Sequence, residues 1–215
     1  MLSSLIRKSS DPVAKNLAVH TGGREAKNAD SDMAKGLEAQ LFLARGAHIM
    51  LTANLWTAAG LVNGAMGTVQ DIIYNDQGPP YLPTVVFISF DKYKGPTITA
   101  LDGTKVVPIT PIRRTWESKN GRVCSRLQFP VCLAWAITVH KSQGLTLPRV
   151  KIDLGSKEFA AGLSFVAVSR VRALQDLLFK PFSFERLERI KLCRRLQERK
   201  EEEKRLVLLS QNSIE

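Results

Sequence analysis

The sequence predicts an α/β fold interrupted by a small all-β unit and closed by a charged helix, and three observations carry that reading. Between Leu41 and Phe129, short β-branched and aromatic runs are punctuated by Gly and Pro with no helical period between them. After Pro130 an apolar run stops abruptly at Thr138-Val139-His140-Lys141-Ser142-Gln143-Gly144. A buried strand giving way to a polar, glycine-terminated turn is where α/β proteins place ligand contacts. Finally, Phe184 to Leu208 is helical by pattern and charged on most faces.

Taken in order, Met1 to Asn16 carries Arg7, Lys8 and Lys15 against one acid, Asp11. This has some likeness to an organellar presequence but lacks a hydrophobic face, and an arbitrary start inside a longer ancestor is the preferred reading. Ser9 to Gly36 is polar and aperiodic and reads as loop or linker. Strands are expected at Ala47–Leu51, Gly67–Tyr74, Thr84–Phe90, Lys105–Ile109 and Arg122–Phe129, with an emphatic turn at Asn75-Asp76-Gln77-Gly78-Pro79-Pro80. Val131 to Val139 is apolar almost throughout, so periodicity leaves strand and helix both open, with Trp135 in the core. Val150–Leu154 reads as a strand, Ala160–Arg170 as a helix and Leu177–Phe179 as a terminal strand.

Composition narrows the partners. The 215 residues hold 31 Lys and Arg against 20 Asp and Glu, a net charge of +11. An excess of that size favours polyanions, nucleic acid first. Cys124, Cys132 and Cys193 are odd in number and scattered, which argues against a disulfide framework or zinc site and for a reducing compartment. His20, His48 and His140 are equally dispersed, and His48 reads as a satisfied core or edge residue. The longest apolar run, Val131 to Ile137, is far too short to cross a bilayer, so no membrane partner is expected.

The string Leu133 to Leu147, LAWAITVHKSQGLTL, resembles motif V of superfamily-one DNA helicases of the Pif type. Phe165-Val166-Ala167-Val168-Ser169-Arg170-Val171-Arg172-Ala173-Leu174 looks like motif VI, and Gly46–Leu51 through Gly60-Leu61-Val62-Asn63-Gly64 resembles the start of that family's inserted domain. These matches are ordered and span Ala44 to Phe182. The resemblance implies a partial second RecA-like, P-loop-type domain carrying a small SH3-like barrel. Residues 1–40 would be linker or the start of that domain, 41–129 the barrel, 130–182 its C-terminal part with motifs V and VI, and 183–215 the charged helix.

The resemblance also implies roles. Arg170 becomes the arginine finger, a planar fork stabilising charge on the transferring γ-phosphoryl. Its bland alternative is a surface salt bridge, and Arg172 is the weaker candidate of the two. Gln143 and Gly144 would lie nearest the nucleotide, while Thr138, His140 and Lys141 suit the phosphate backbone of single-stranded DNA. Asn54 and Trp56 would contact a base, with Trp56 alternatively a hydrophobe capping the barrel.

Absences matter as well. No G-x-x-x-x-G-K-[ST] occurs; Thr21-Gly22-Gly23-Arg24 lacks the lysine and the spacing, and no apolar strand ends in paired acids for Mg²⁺. The implied function is therefore the C-terminal part of an ATP-dependent, 5′-to-3′ DNA helicase acting on single strands and forks, in telomere maintenance, repair and recombination. ATP and Mg²⁺ would need a missing N-terminal RecA-like domain, and no metal ligands are assigned in this chain. The implied location is the nucleus, with the mitochondrion a further site. Two alternatives stand beside it: a non-catalytic single-strand-binding or adaptor module derived from a helicase or transposon, and a RecD- or relaxase-type helicase fragment.

Overall fold

The computed structural model describes residues 12–118, 120–155, 162–180, 183–185, 188 and 194–212, those from 194 to 196 and from 210 to 212 by backbone only. The chain divides between Ala136 and Ile137 into two compact units. The first is built almost wholly from strands. An antiparallel six-stranded sheet has the order β11-β4-β5-β6-β8-β7, from Val131–Leu133 (β11), His48–Leu51 (β4), Met66–Ile73 (β5), Val85–Phe90 (β6), Lys105–Ile109 (β8) and Ile98–Thr99 (β7). Alternation puts Ile49, Leu51, Val69, Val86, Ile88, Val107, Ile109 and Val131 on one buried face, sealed by Leu41, Leu43 and Phe129. A register shift between Val69 and Asp71 bends β5. Among the described residues no ladder joins β11 to β7.

Of two further sheets, the sequence showed only the strand expected at Arg122–Phe129, and it pairs outside the six-stranded sheet rather than within it. Ser9 to Gly36, read as linker, holds Ala14–Leu17 (β1), Val19–Thr21 (β2) and a short helix Gly23–Asn28 (α1). β1 pairs with Gln40–Leu43 (β3). β2 joins Val123–Gln128 (β10), whose other edge pairs with Ile112–Glu117 (β9). Strands of three and four residues are too brief to show a period, and their partners lie far along the chain. Gly22 makes the β2–α1 corner possible: its φ is +104°, and a Cβ there would come within 2.7 Å of the Cys124 sulfur.

Arg126 holds this sheet to its surroundings. Its side chain is 0% exposed, yet among the described residues no carboxylate bonds to it. Nη1 donates to the Leu37 carbonyl at 2.7 Å, and Nη2 donates to the carbonyls of Ala26 at 3.0 Å and Ala29 at 2.7 Å. Nε faces His20 Nδ1 at 3.4 Å, and the Trp116 ring lies 5.8 Å away. The guanidinium thus takes up carbonyls at the C-terminal end of α1, which the helix cannot satisfy itself. Burial lowers the Arg126 pKa, opposed by Glu38 and Asp30.

Four expectations are corrected. The apolar run after Pro130 forms strand only over Val131–Leu133, because the chain leaves the sheet once the Ala134 amide has bonded the His48 carbonyl. Trp135 is therefore outside the core, 48% exposed, and meets the His48 ring edge-on at 4.7 Å. His48 itself is exposed at a strand start, with Nδ1 3.3 Å from the Thr68 hydroxyl. The helix expected at Ala160–Arg170 runs from Leu163 to Val168 (α2), with residues 160–161 outside the described set.

The second unit carries a two-stranded parallel sheet, Val150–Ile152 (β12) with Leu177–Phe179 (β13). The expected C-terminal helix is described over Arg194–Asn212 (α3), while Cys193 lies outside the described residues. Among the described residues no helix is long and apolar enough to cross a membrane.

Two measurements test this account. Arg126→Lys keeps the charge, but one ammonium cannot span three carbonyls on two segments. Urea unfolding should lose about 2–3 kcal/mol of stability, against little change if the carbonyls find water instead. His20 gives a pH test. Burial, then Arg126 and Lys27, hold its pKa below the ordinary value of 6.5. The unfolded chain takes up a proton at His20 before the folded chain does, so this contribution is complete above about pH 6.5 and lost as pH falls below it. His20→Asn should flatten that part of the stability profile; an unchanged slope would remove His20 from the account.

Candidate nucleic-acid and nucleotide interface

Two short segments of the second unit build the site. The first is the turn from Thr138 to Leu145. The Ser142 amide donates to the carbonyls of Thr138 and Val139, both at 3.1 Å, and the Leu145 amide to Ser142 at 3.1 Å. This is about one helical turn. The Thr138 hydroxyl accepts the Lys141 amide at 3.4 Å, and the buried Ser142 hydroxyl donates to the Val139 carbonyl at 2.7 Å. Gly144 ends the turn at φ +79°, with open space where a Cβ would stand. The turn's inner contacts are thus made by main chain, Thr138 and Ser142. His140, Lys141, Gln143 and Gly144 are left exposed.

The second segment is α2 with the residues after it. Arg170 is half-buried just beyond the helix end. Its Nε donates to the Val166 carbonyl at 2.8 Å and Nη2 to the Ser169 hydroxyl oxygen at 2.8 Å. Nη1 reaches the first segment, donating to the carbonyls of Leu145 at 3.2 Å and Ser142 at 3.4 Å. The Leu147 amide completes the junction by donating to the Arg170 carbonyl at 2.8 Å. No salt bridge from Arg170 is found among the described residues, so the surface-ion-pair alternative has no partner here. Arg172 is exposed.

The structure therefore brings Thr138, His140, Lys141, Gln143, Gly144 and Arg170 into one assembly. Asn54 and Trp56 belong to the other unit. There the Asn54 side chain accepts the Asn63 amide at 2.7 Å, while the amides of Leu55 and Trp56 both donate to the Leu61 carbonyl. Trp56 is 48% exposed beside the short 3₁₀ turn Thr57–Ala59. Asn54 thus pins its own loop, and the Trp56 ring is the part of it open to a ligand. Among the described residues, no cluster of three or more His, Cys, Asp or Glu is arranged for a metal.

Sequence reasoning missed Ser142 and Ser169, which orient the turn and Arg170. Serines beside a charged residue give no pattern of their own; only the fold shows that their hydroxyls are spent on the backbone and on Arg170.

No protein-family model matches the chain. Among curated proteins, it is 39% identical over 159 residues to the human ATP-dependent DNA helicase PIF1, covering 71% of this chain and 22% of that relative. The chain thus spans about a fifth of the curated relative's length. Among solved structures, it aligns with Pif1 helicase from Candida albicans at a TM-score of 0.63 and 28% identity, over 84% of this chain and 42% of that one. A Bacteroides Pif1 bound to single-stranded DNA aligns at 0.55 and 25% identity, over 85% of this chain and 38% of that one. By sequence and by backbone alike, the chain is of the Pif type and corresponds to a C-terminal portion of those ATP-hydrolysing DNA helicases.

Proposed function

We propose that this chain supplies, to an ATP-dependent 5′-to-3′ DNA helicase, the turn that grips the strand and the arginine that meets the nucleotide. The observation that carries this reading is the docking of the Arg170 guanidinium on the Ser142 and Leu145 carbonyls. It makes one packed assembly of the two segments that resemble motifs V and VI. Exposed Thr138, His140 and Lys141 offer a hydroxyl, an imidazole and an ammonium, groups that position phosphates without reading bases. Trp56 adds a ring on which a base can stack. The partners are single-stranded DNA and forks, together with a first RecA-like domain that carries the phosphate loop.

On the nucleotide side, Gln143 offers an exposed amide, and Gly144 leaves room for close main-chain approach. These residues fit part of an ATP site. The phosphate loop and the Mg²⁺ ligands would come from that first RecA-like domain. Bound there, ATP supplies phosphoryl transfer to water, and Arg170 would stabilise the charge spreading over the γ-phosphoryl oxygens.

The finer architecture is part of the same reading. Residues 41–129 form the SH3-like insertion, 130–182 the C-terminal part of a RecA-like domain and 183–215 a charged extension. Nuclear DNA is the expected place of action, with mitochondrial DNA a further one. The adaptor and RecD-type alternatives gain no particular support, since the relatives are named Pif helicases.

Purified alone, the chain should release no phosphate from ATP when single-stranded DNA is added; turnover abolished by Arg170→Ala would overturn the division of labour. Joined to an N-terminal half that carries the phosphate loop, Arg170→Ala should slow single-turnover hydrolysis by about 10³-fold. Affinity for single strands should be sequence-tolerant. With about three phosphates engaged, log K should fall against log salt with a slope near about −2. A flat dependence would exclude backbone contact as its source.

A further inference from the structure

The turn from Thr138 to Leu145 is held from within only by its own short-range hydrogen bonds. It is about one helical turn, too short for cooperative stability of its own. Its Ser142 and Leu145 carbonyls lie at the C-terminal end, where a helix leaves acceptors unfilled. One atom from outside, Nη1 of Arg170, fills the Leu145 carbonyl at 3.2 Å and joins the Leu145 amide on the Ser142 carbonyl at 3.4 Å. That atom is itself aimed from two sides. Nε is bonded to the Val166 carbonyl at 2.8 Å and Nη2 to the Ser169 hydroxyl oxygen at 2.8 Å. The Ser169 hydroxyl in turn donates to the Val166 carbonyl at 3.1 Å. A planar fork gripped at Nε and Nη2 has a fixed direction for Nη1, which an ammonium on a flexible stem would lack.

We infer that Arg170 is a positioning residue for the strand-contacting turn, in addition to its part in hydrolysis. By holding the Ser142 and Leu145 carbonyls, it sets the turn from which His140 and Lys141 reach the DNA phosphates. This inference rests on the reading of Thr138, His140 and Lys141 as strand contacts. It also supplies a physical link between the two ligands. Of the five N–H groups, Nε uses one, Nη1 two and Nη2 one. The guanidinium therefore cannot offer a two-pronged grip to a phosphoryl group while it holds the turn. Engagement with nucleotide draws the same donors away from the carbonyls, so the grip on the strand loosens when the finger is occupied.

The test uses the 215-residue chain and a fluorescein-labelled oligothymidylate, read by anisotropy across a salt series, with hydrogen exchange at residues 142–145. Arg170→Lys keeps the charge and loses the fork. It should bind about tenfold more weakly, with a salt slope shallower by about 0.7 and faster exchange in the turn. Wild-type affinity, slope and exchange in Arg170→Lys would overturn the inference. His140→Ala with Lys141→Ala tests the underlying reading separately. If that double variant binds like the wild type, the turn does not contact the strand, whatever Arg170 does. Ser169→Ala covers the case in which Arg170→Lys fails to fold, because it frees Nη2 without touching the turn. It should weaken binding about two- to threefold and speed exchange at residues 142–145; no change in either would sink the inference.

Discussion

The first unit depends on a buried charge that is bonded by main-chain carbonyls and, among the described residues, by no carboxylate. Arg126 sits at 0% exposure and is held by main-chain carbonyls from two places, the end of α1 and Leu37. Each of those segments is short, polar and unable to satisfy its own backbone. In a low-dielectric interior such unfilled acceptors cost about 1–3 kcal/mol each, and a bare guanidinium costs more. Brought together, the two deficits cancel. The three-stranded sheet β2-β10-β9 is thereby tied to α1 and to the loop behind it, and β10 leads directly through Phe129 to β11. The buried arginine thus anchors the chain just before it leaves the sheet toward Thr138.

The second unit repeats the device near its surface. Arg170 also fills carbonyls and also lacks a carboxylate partner among the described residues, but it is half-buried and keeps one N–H in reserve. Arg126 is locked by burial. Arg170 has carbonyl partners that a competing anion can replace. The same chemistry gives a fastener in one place and a releasable hold in the other, and the difference is access to water.

The two segments of the candidate interface stood out in the sequence. The polar string ending at Gly144 and the arginine after Val166-Ala167-Val168-Ser169 stand out because polar residues follow apolar runs abruptly. The central strands β5, β6 and β8 were legible for the matching reason, since Val, Ile and Phe recur at the spacing of a half-buried sheet. β1, β2 and α1 were not, because their stability comes from partners 23 to 108 residues away rather than from local pattern. Trp135 misled for a related reason: hydrophobicity reports a preference for burial, and β11 ended two residues too soon to provide it. The roles of Ser142 and Ser169 needed coordinates, since a hydroxyl's partner is set by angle and distance.

Both arginines read the polypeptide backbone, and carbonyl oxygens are the same whatever side chain stands beside them. Ala26, Ala29, Leu37 and Leu145 could be exchanged for other residues without changing what Arg126 and Arg170 bind, provided the path of the chain is kept. No comparable exchange is open to the arginines, because lysine cannot span the acceptors. Divergence in such a protein is therefore lopsided: the partners of a critical contact are limited only by their own packing, as buried Ala26 and Leu37 are, while the residue that makes the contact stays fixed. Pairs that change together, the usual trace of a side-chain contact, would record Ser169 and His20 but not the carbonyls that either arginine holds.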